Sequence, residues 1–232
     1  MTRLSANNNK VVDHEPGPLA MHRAMMLNDP QSQQMKPLDY SQSDAKHGGP
    51  SFSLLNRVTR LLWKFVWLLG ASWTPPIMHP WRRFLLRCFG AKIGIKSDVR
   101  GSARVWLPSN LVLGDWSIIA EDVDCYNQGL VAIGNRVIVS QKSYLCASGH
   151  DVDNPEFQLI ARPIEIRDGA WIAADAFIGP GVVVGVGAVA GARAVCMSNL
   201  EDYGIYVGNP ARRIRSRSIN ERPDNKSKLL QK

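Results

Sequence analysis

From Ile164 to Cys196 the chain reads IEIRDGAWIAADAFIGPGVVVGVGAVAGARAVC, and an apolar or small residue returns every six positions, at Ile166, Ile172, Ile178, Val184, Ala190 and Cys196. A helix repeats near 3.6 residues and a strand at 2. A period of six belongs instead to a coil of short flat strands joined by tight corners. The sixth residue points into the interior. A second series of small or β-branched residues lies four positions later, at Ala170, Ala176, Val182, Ala188 and Ala194. It suits corners where backbones come close. Ala173, Gly179, Gly185 and Gly191 follow the inward residues, and the glycines are expected to supply dihedrals that a Cβ forbids.

The register extends backwards in sets of three: Ile93, Val99 and Val105, then Leu113, Ile119 and Cys125, then Ile133, Val139 and Leu145. Each set closes one turn. Ser97, Ala103, Ser109, Ser117, Ser143 and Gly149 hold the small corner position, with Val123 and Val137 as β-branched variants. Coils stack at the strand spacing, so roughly five of them make a prism on the order of 24 Å tall.

With 232 residues and 45% apolar content, one core domain with tails is the economical organisation. The expected divisions are a polar tail over 1–50, a helical entrance over 51–90, the repeat over 91–210 with an excursion at 151–163, and a basic end over 211–232. The tail is low in aromatics and is expected to be disordered, with scattered histidines that hold no metal. No secretory leader is expected from the first 20 residues. The net charge of +8 suits an anionic partner such as a nucleotide cofactor or an acidic lipid surface. No nucleic-acid-binding motif is present. Cys88, Cys125, Cys146 and Cys196 have no CxxC spacing and are expected to be small core residues.

Ser53 to Leu69 is expected to form an amphipathic helix capped by Ser53. Two readings stay open. Arg57, Arg60 and Lys64 with Trp63 and Trp67 would suit docking at a membrane surface, or the apolar face packs on the coil or on a neighbouring subunit. The segment is too short and too charged to span a bilayer. A second helix, roughly Trp81 to Phe89, is expected to extend the basic face through Arg82, Arg83 and Arg87.

These features, with Gly149-His150-Asp151, Ala170-Trp171-Ile172-Ala173-Ala174 and Gly208-Asn209-Pro210-Ala211, resemble the hexapeptide-repeat acyltransferases over about residues 52–217. Trp81 to Arg87 and Phe89 to Gly94 make the chain most similar to the colanic-acid and exopolysaccharide O-acetyltransferases. The resemblance implies a mostly β fold, a left-handed parallel β-helix with N-terminal amphipathic helices, and a short basic C-terminal helix over 211–217. It also implies a homotrimer using acetyl-CoA without a metal. A zinc enzyme of the γ-carbonic-anhydrase kind would need three histidines across the coils, and only His150 lies in the repeat.

An imidazole suits acetyl transfer, because an alcohol becomes a good nucleophile only as a base takes its proton. By resemblance His150 is the catalytic base, with Asp151 expected to orient it. Cys146 is not expected to act as a nucleophile. The resemblance places the backbone N–H of Ala174 as oxyanion donor, Ala173, Ala174, Gly191 and Ala192 along the cofactor groove, and Arg212 and Arg215 at the 3′-phosphate. Arg217 is expected to be a solvated charge. The family's acceptor-holding Asn corresponds to Ala120 here, so Asn127 and Tyr126 are the substitute acceptor-binding residues. Asn127 also admits a corner role, bonding local backbone. A lysine common in the family is Ser198.

The expected function is O-acetylation of a saccharide or glycan precursor for an exported polysaccharide, in the cytoplasm and at the inner face of the membrane. Another acceptor, such as an amino sugar or amino acid, and a non-catalytic scaffold are the alternatives.

Overall fold

Parallel pairing joins Ile93 to Leu113, Val99 to Ile119 and Val105 to Cys125, an offset of one coil at every step. The same pairing joins Leu145 to Ile178 and Ile166 to Val184 across later coils. The computed structural model describes residues 36–37, 52–155 and 157–218. Expectations for the rest of the 1–50 tail and for the last residues lie outside them. Five complete coils stack into three parallel sheets, and a sixth begins with Leu200, bridged to Val184, and the strand Gly204–Val207. The result is a parallel β-solenoid. Face one carries inward Ile93, Leu113, Ile133, Ile166 and Val184. Face two carries Val99, Ile119, Val139, Ile172 and Ala190. Face three carries Val105, Cys125, Leu145, Ile178 and Cys196. All fifteen are buried and form one continuous core. Each fully buried aliphatic side chain contributes about 1.5–3 kcal/mol through lost water contact.

The corners differ from expectation in one respect. Left-handed backbone falls on Lys96, Trp116, Arg136, Asp175 and Arg193 and on Gly169, Gly181 and Gly187, not on Gly179, Gly185 or Gly191. Glycine at the latter positions answers to space. A Cβ on Gly185 would meet Asp202 at 2.4 Å, and one on Gly114 would meet the backbone of Gly134 at 2.5 Å. Side chains tie the corners vertically: Asp115 accepts from the Ile95 N–H, Asn135 from Asp115 and Asp168 from Asn135. Ser97 and Ser117 are buried links of a parallel ladder, whereas Ser109 is exposed and Gly149 has left the corner for a hairpin.

Two helices close the first coil. In α1 (Leu54–Gly70) the Ser53 hydroxyl accepts from the Asn56 N–H, as a cap should. The face that packs on the coil is the one holding Trp63 and Trp67. The Trp63 indole donates to Val105 O at 2.7 Å, and that of Trp67 to Gly101 O and Ala103 O. An indole buries a large apolar surface while its N–H meets a corner carbonyl, a pairing leucine cannot make. The leucine face is therefore the exposed one, and Trp63 and Trp67 are unavailable to a membrane. In α2 (His79–Cys88), Arg82 is wholly buried instead of extending a basic surface. It donates to Val99 O at 2.7 Å and pairs with Asp98 at 2.9 Å. Cys125 and Cys196 are buried as expected, Cys146 is half-buried and Cys88 is exposed.

The C-terminal segment is a strand, Arg212–Ser216, antiparallel to Gly204–Val207, where a helix was expected. Arg-Arg-Ile-Arg-Ser-Arg has no apolar stripe to hold a helix against the core, and the last coil offers an open ladder edge that satisfies its backbone.

Candidate active site

The excursion after the third coil is a hairpin whose arms are Ser148–His150 and Leu159–Ala161, with His150 paired to Leu159. Lys36–Pro37 adds a third strand to it. His150 therefore stands on a strand, exposed, at the corner between faces three and one. Its Nδ1 lies 2.8 Å from the carbonyl oxygen of Phe157, and its ring is stacked on the Phe157 ring at 4.4 Å and 11°. A carbonyl can only accept, so Nδ1 carries the proton and Nε2 keeps its lone pair. That is the tautomer a general base needs. Asp151 does not orient the ring. Its backbone N–H closes the hairpin on Gln158 O, and its carboxylate accepts from the N–H of Asp153.

Phe157 went unassigned from sequence. The one signal was a lone aromatic in the excursion. Its left-handed φ of 49°, which turns the carbonyl back toward His150, leaves no mark in composition.

The groove residues stand at a different corner, between faces two and three. Arg193 N–H bonds Ala174 O, stacking the Ala173-Ala174 corner on Gly191-Ala192 one coil later. The N–H groups of Ala173 and Gly191 are used by Ala190 O and Tyr206 O. Among the described residues that of Ala174 meets no backbone acceptor, and its residue is only half-buried. Face three separates this ledge from His150. Along its outer surface Trp106, Tyr126, Tyr144 and Phe177 form a ladder of rings with centroids 5.6–6.2 Å apart. Burial, with Cys146 and Asp124 nearby, pushes the Tyr144 phenol up to about 12.

Asn127 is not placed to hold an acceptor. It is fully buried, accepts from the Leu107 N–H at 3.1 Å and donates to Leu107 O at 2.7 Å, so it is the corner amide. Tyr126 is half-buried, its hydroxyl held by Gln128 at 2.6 Å. Burial raises the Cys146 thiol, which lies 3.2 Å from Ser148 O, and so keeps it from being a thiolate nucleophile.

Arg212 and Arg215 are exposed, and neither forms an ion pair among the described residues. Arg217 is not a solvated charge: its guanidinium donates to Gly169 O and Gly187 O at 3.1 Å. It lines a cleft of about 770 Å³ at the corner between faces one and two, with Asp115, Trp116 and Arg136. A second, about 490 Å³, lies between α1 and face three. Neither cleft is lined by His150.

A scan against protein-family models finds no match. A curated relative, WcaF of Escherichia coli (strain K12), named as a candidate colanic acid biosynthesis acetyltransferase, is 41% identical over 166 residues, covering 72% of this chain and 91% of the relative. The chain belongs to the hexapeptide-repeat acetyltransferases. Within that family, a hexapeptide-repeat acetyltransferase from Vibrio cholerae, solved with acetyl coenzyme A, is similar in structure. It has a TM-score of 0.65 and 23% identity over 72% of this chain and 92% of that one. A galactoside acetyltransferase solved with coenzyme A aligns at a TM-score of 0.60 and 20% identity, over 78% of this chain and 91% of its own. At those identities the two structures show the shared coil fold, and the WcaF relative carries the family.

Proposed function

We propose that this acetyltransferase moves the acetyl group of acetyl-CoA directly to a saccharide hydroxyl, with His150 as general base. The observation that carries this reading is the Nδ1 contact of His150 to Phe157 O, which leaves Nε2 as the acceptor on an exposed imidazole. Nε2 takes the hydroxyl proton as the oxygen attacks the thioester carbonyl. The Ala174 N–H meets the developing oxyanion, the C–S bond breaks, and the imidazolium returns its proton to the departing thiolate. Ala173, Ala174, Gly191 and Ala192 form a ledge of small residues for the pantetheine arm, and Arg212 and Arg215 are free to take the 3′-phosphate.

The base and the ledge lie on different corners of one prism. The reading is therefore of a homotrimer in which the hairpin of one chain meets the ledge of the next. The WcaF name supports a glycan precursor of an exported polysaccharide as acceptor, and the proposed site of the reaction is the cytoplasm, at the inner face of the membrane.

Thiol release from acetyl-CoA tests this with a panel of nucleotide sugars, oligosaccharides, amino sugars and amino acids. Release that depends on a sugar hydroxyl supports the reading. Release with amines only, or no release from a protein that binds no CoA, removes it in favour of another acceptor or a scaffold.

A further inference from the structure

Between Phe52 and Ser97 the chain carries eight lysines and arginines and no carboxylate. Over the same stretch a run of large apolar side chains faces outward, including Leu55 at 77% exposure, Leu62, Leu69, Trp73, Ile77 at 81% and Phe84. Solvent-facing apolar surface on this scale marks an interaction site. Its geometry is flat: Trp63 and Trp67 pin α1 along the side of the coil, so the opposite helix face lies parallel to the surface it presents. The indoles of Trp73 and Trp81 donate to Leu69 O and Gly70 O, which holds their rings beside the end of that face. Arg57 and Lys64 are exposed on its flank, and Arg87 is exposed on α2. None of the described helices is long and apolar enough to cross a membrane.

We propose that this surface, made by α1, the turn after it and α2, docks the enzyme on the face of an anionic phospholipid bilayer. It deepens the membrane-face part of the proposed function and is independent of the acetyl transfer. Leucine and tryptophan side chains enter the headgroup and acyl boundary while the flanking cations meet lipid phosphates. Charge favours the bilayer, whose phosphates answer Arg57 and Lys64. A second copy meeting this face symmetrically would set those residues against cations, since the stretch brings no carboxylate to answer them, and a head-to-tail copy is tested by the oligomer mass below.

The test is co-sedimentation of the full chain with phosphatidylcholine vesicles, with and without phosphatidylglycerol, at low salt and at ~0.5 M. Binding is expected only with phosphatidylglycerol, and weaker in salt. Leu62→Glu with Leu69→Glu, and separately Arg57→Glu with Lys64→Glu, are each expected to weaken it at least about tenfold. Circular dichroism and thiol release should be unchanged in both variants. The proposal is overturned if the wild-type chain sediments with neither vesicle, or binds both equally. It is also overturned if the leucine variants alter the oligomer mass in light scattering while vesicle binding persists, which would assign the face to a second copy.

Discussion

The imidazole of His150 lies against the ring of Phe157 at 4.4 Å and is bonded through Nδ1 to that same residue's carbonyl at 2.8 Å. One residue thus holds both the plane and the tautomer of the proposed base. Substituting Phe157→Ala keeps the carbonyl in the chain but removes the stacked ring that limits imidazole rotation. The expected result is a fall in kcat of about tenfold, smaller than the roughly 10²-fold or greater loss expected when a general base is removed outright, with KM for acetyl-CoA unchanged. Phe157→Tyr should stay close to wild type. Steady-state thiol release on the three proteins measures this.

Asn127→Ala should act on stability and not on acceptor binding. The substitution leaves the buried N–H of Leu107 without its acceptor, while Leu107 O loses the Asn127 amide but keeps the Asn110 N–H. That costs about 1–3 kcal/mol and lowers the thermal midpoint by roughly 2–12 °C. A raised acceptor KM with an unchanged midpoint would return Asn127 to the acceptor site.

The two classes of C-terminal arginine should separate cleanly. Arg212→Ala with Arg215→Ala is expected to raise KM for acetyl-CoA about tenfold, the scale of a lost charge-assisted contact, and to leave KM for its 3′-dephospho analogue unaltered. Arg217→Ala removes bonds to Gly169 O and Gly187 O and should lower the thermal midpoint with little effect on that ratio.

Alkaline conditions should weaken the coil through Cys196 and Tyr144. Burial pushes the Cys196 thiol from 9.0 to about 11, and Tyr144 sits near 12 against an ordinary 10.0. Between the unfolded and folded values the native state holds protons that the unfolded chain has lost. Stability is therefore full below about pH 9 and falls as pH rises toward 11, by at most about 1.4 kcal/mol per pH unit for the buried Cys196, with a smaller, solvent-screened contribution from the half-exposed Tyr144. Denaturant midpoints between pH 8 and 11 should fall less steeply in Cys196→Ala than in wild type.

The inward residues were legible because coil geometry leaves one interior position per six, and only apolar or small side chains survive there. The His150 corner was legible because the excursion after it interrupts that register, and the entrance from Trp81 to Gly94 through its resemblance to the family. What stayed hidden depends on partners remote in sequence. An amphipathic wheel separates the tryptophans from the leucines of α1 without saying which set meets the coil. That choice falls to the corner carbonyls of Gly101, Ala103 and Val105. Asn127 looks the same whether it bonds a sugar or Leu107. The strand Arg212–Ser216 is set by a ladder edge that exists only once the sixth coil has begun.

The most direct test of the central claim compares acceptor-dependent thiol release by the wild-type chain and His150→Ala, with acetyl-CoA binding measured on both. A loss of about 10²-fold or more in kcat at unchanged acetyl-CoA affinity is the result predicted for a general base. Retention of activity within about threefold, below the range of base catalysis, by a variant that binds acetyl-CoA normally would contradict it.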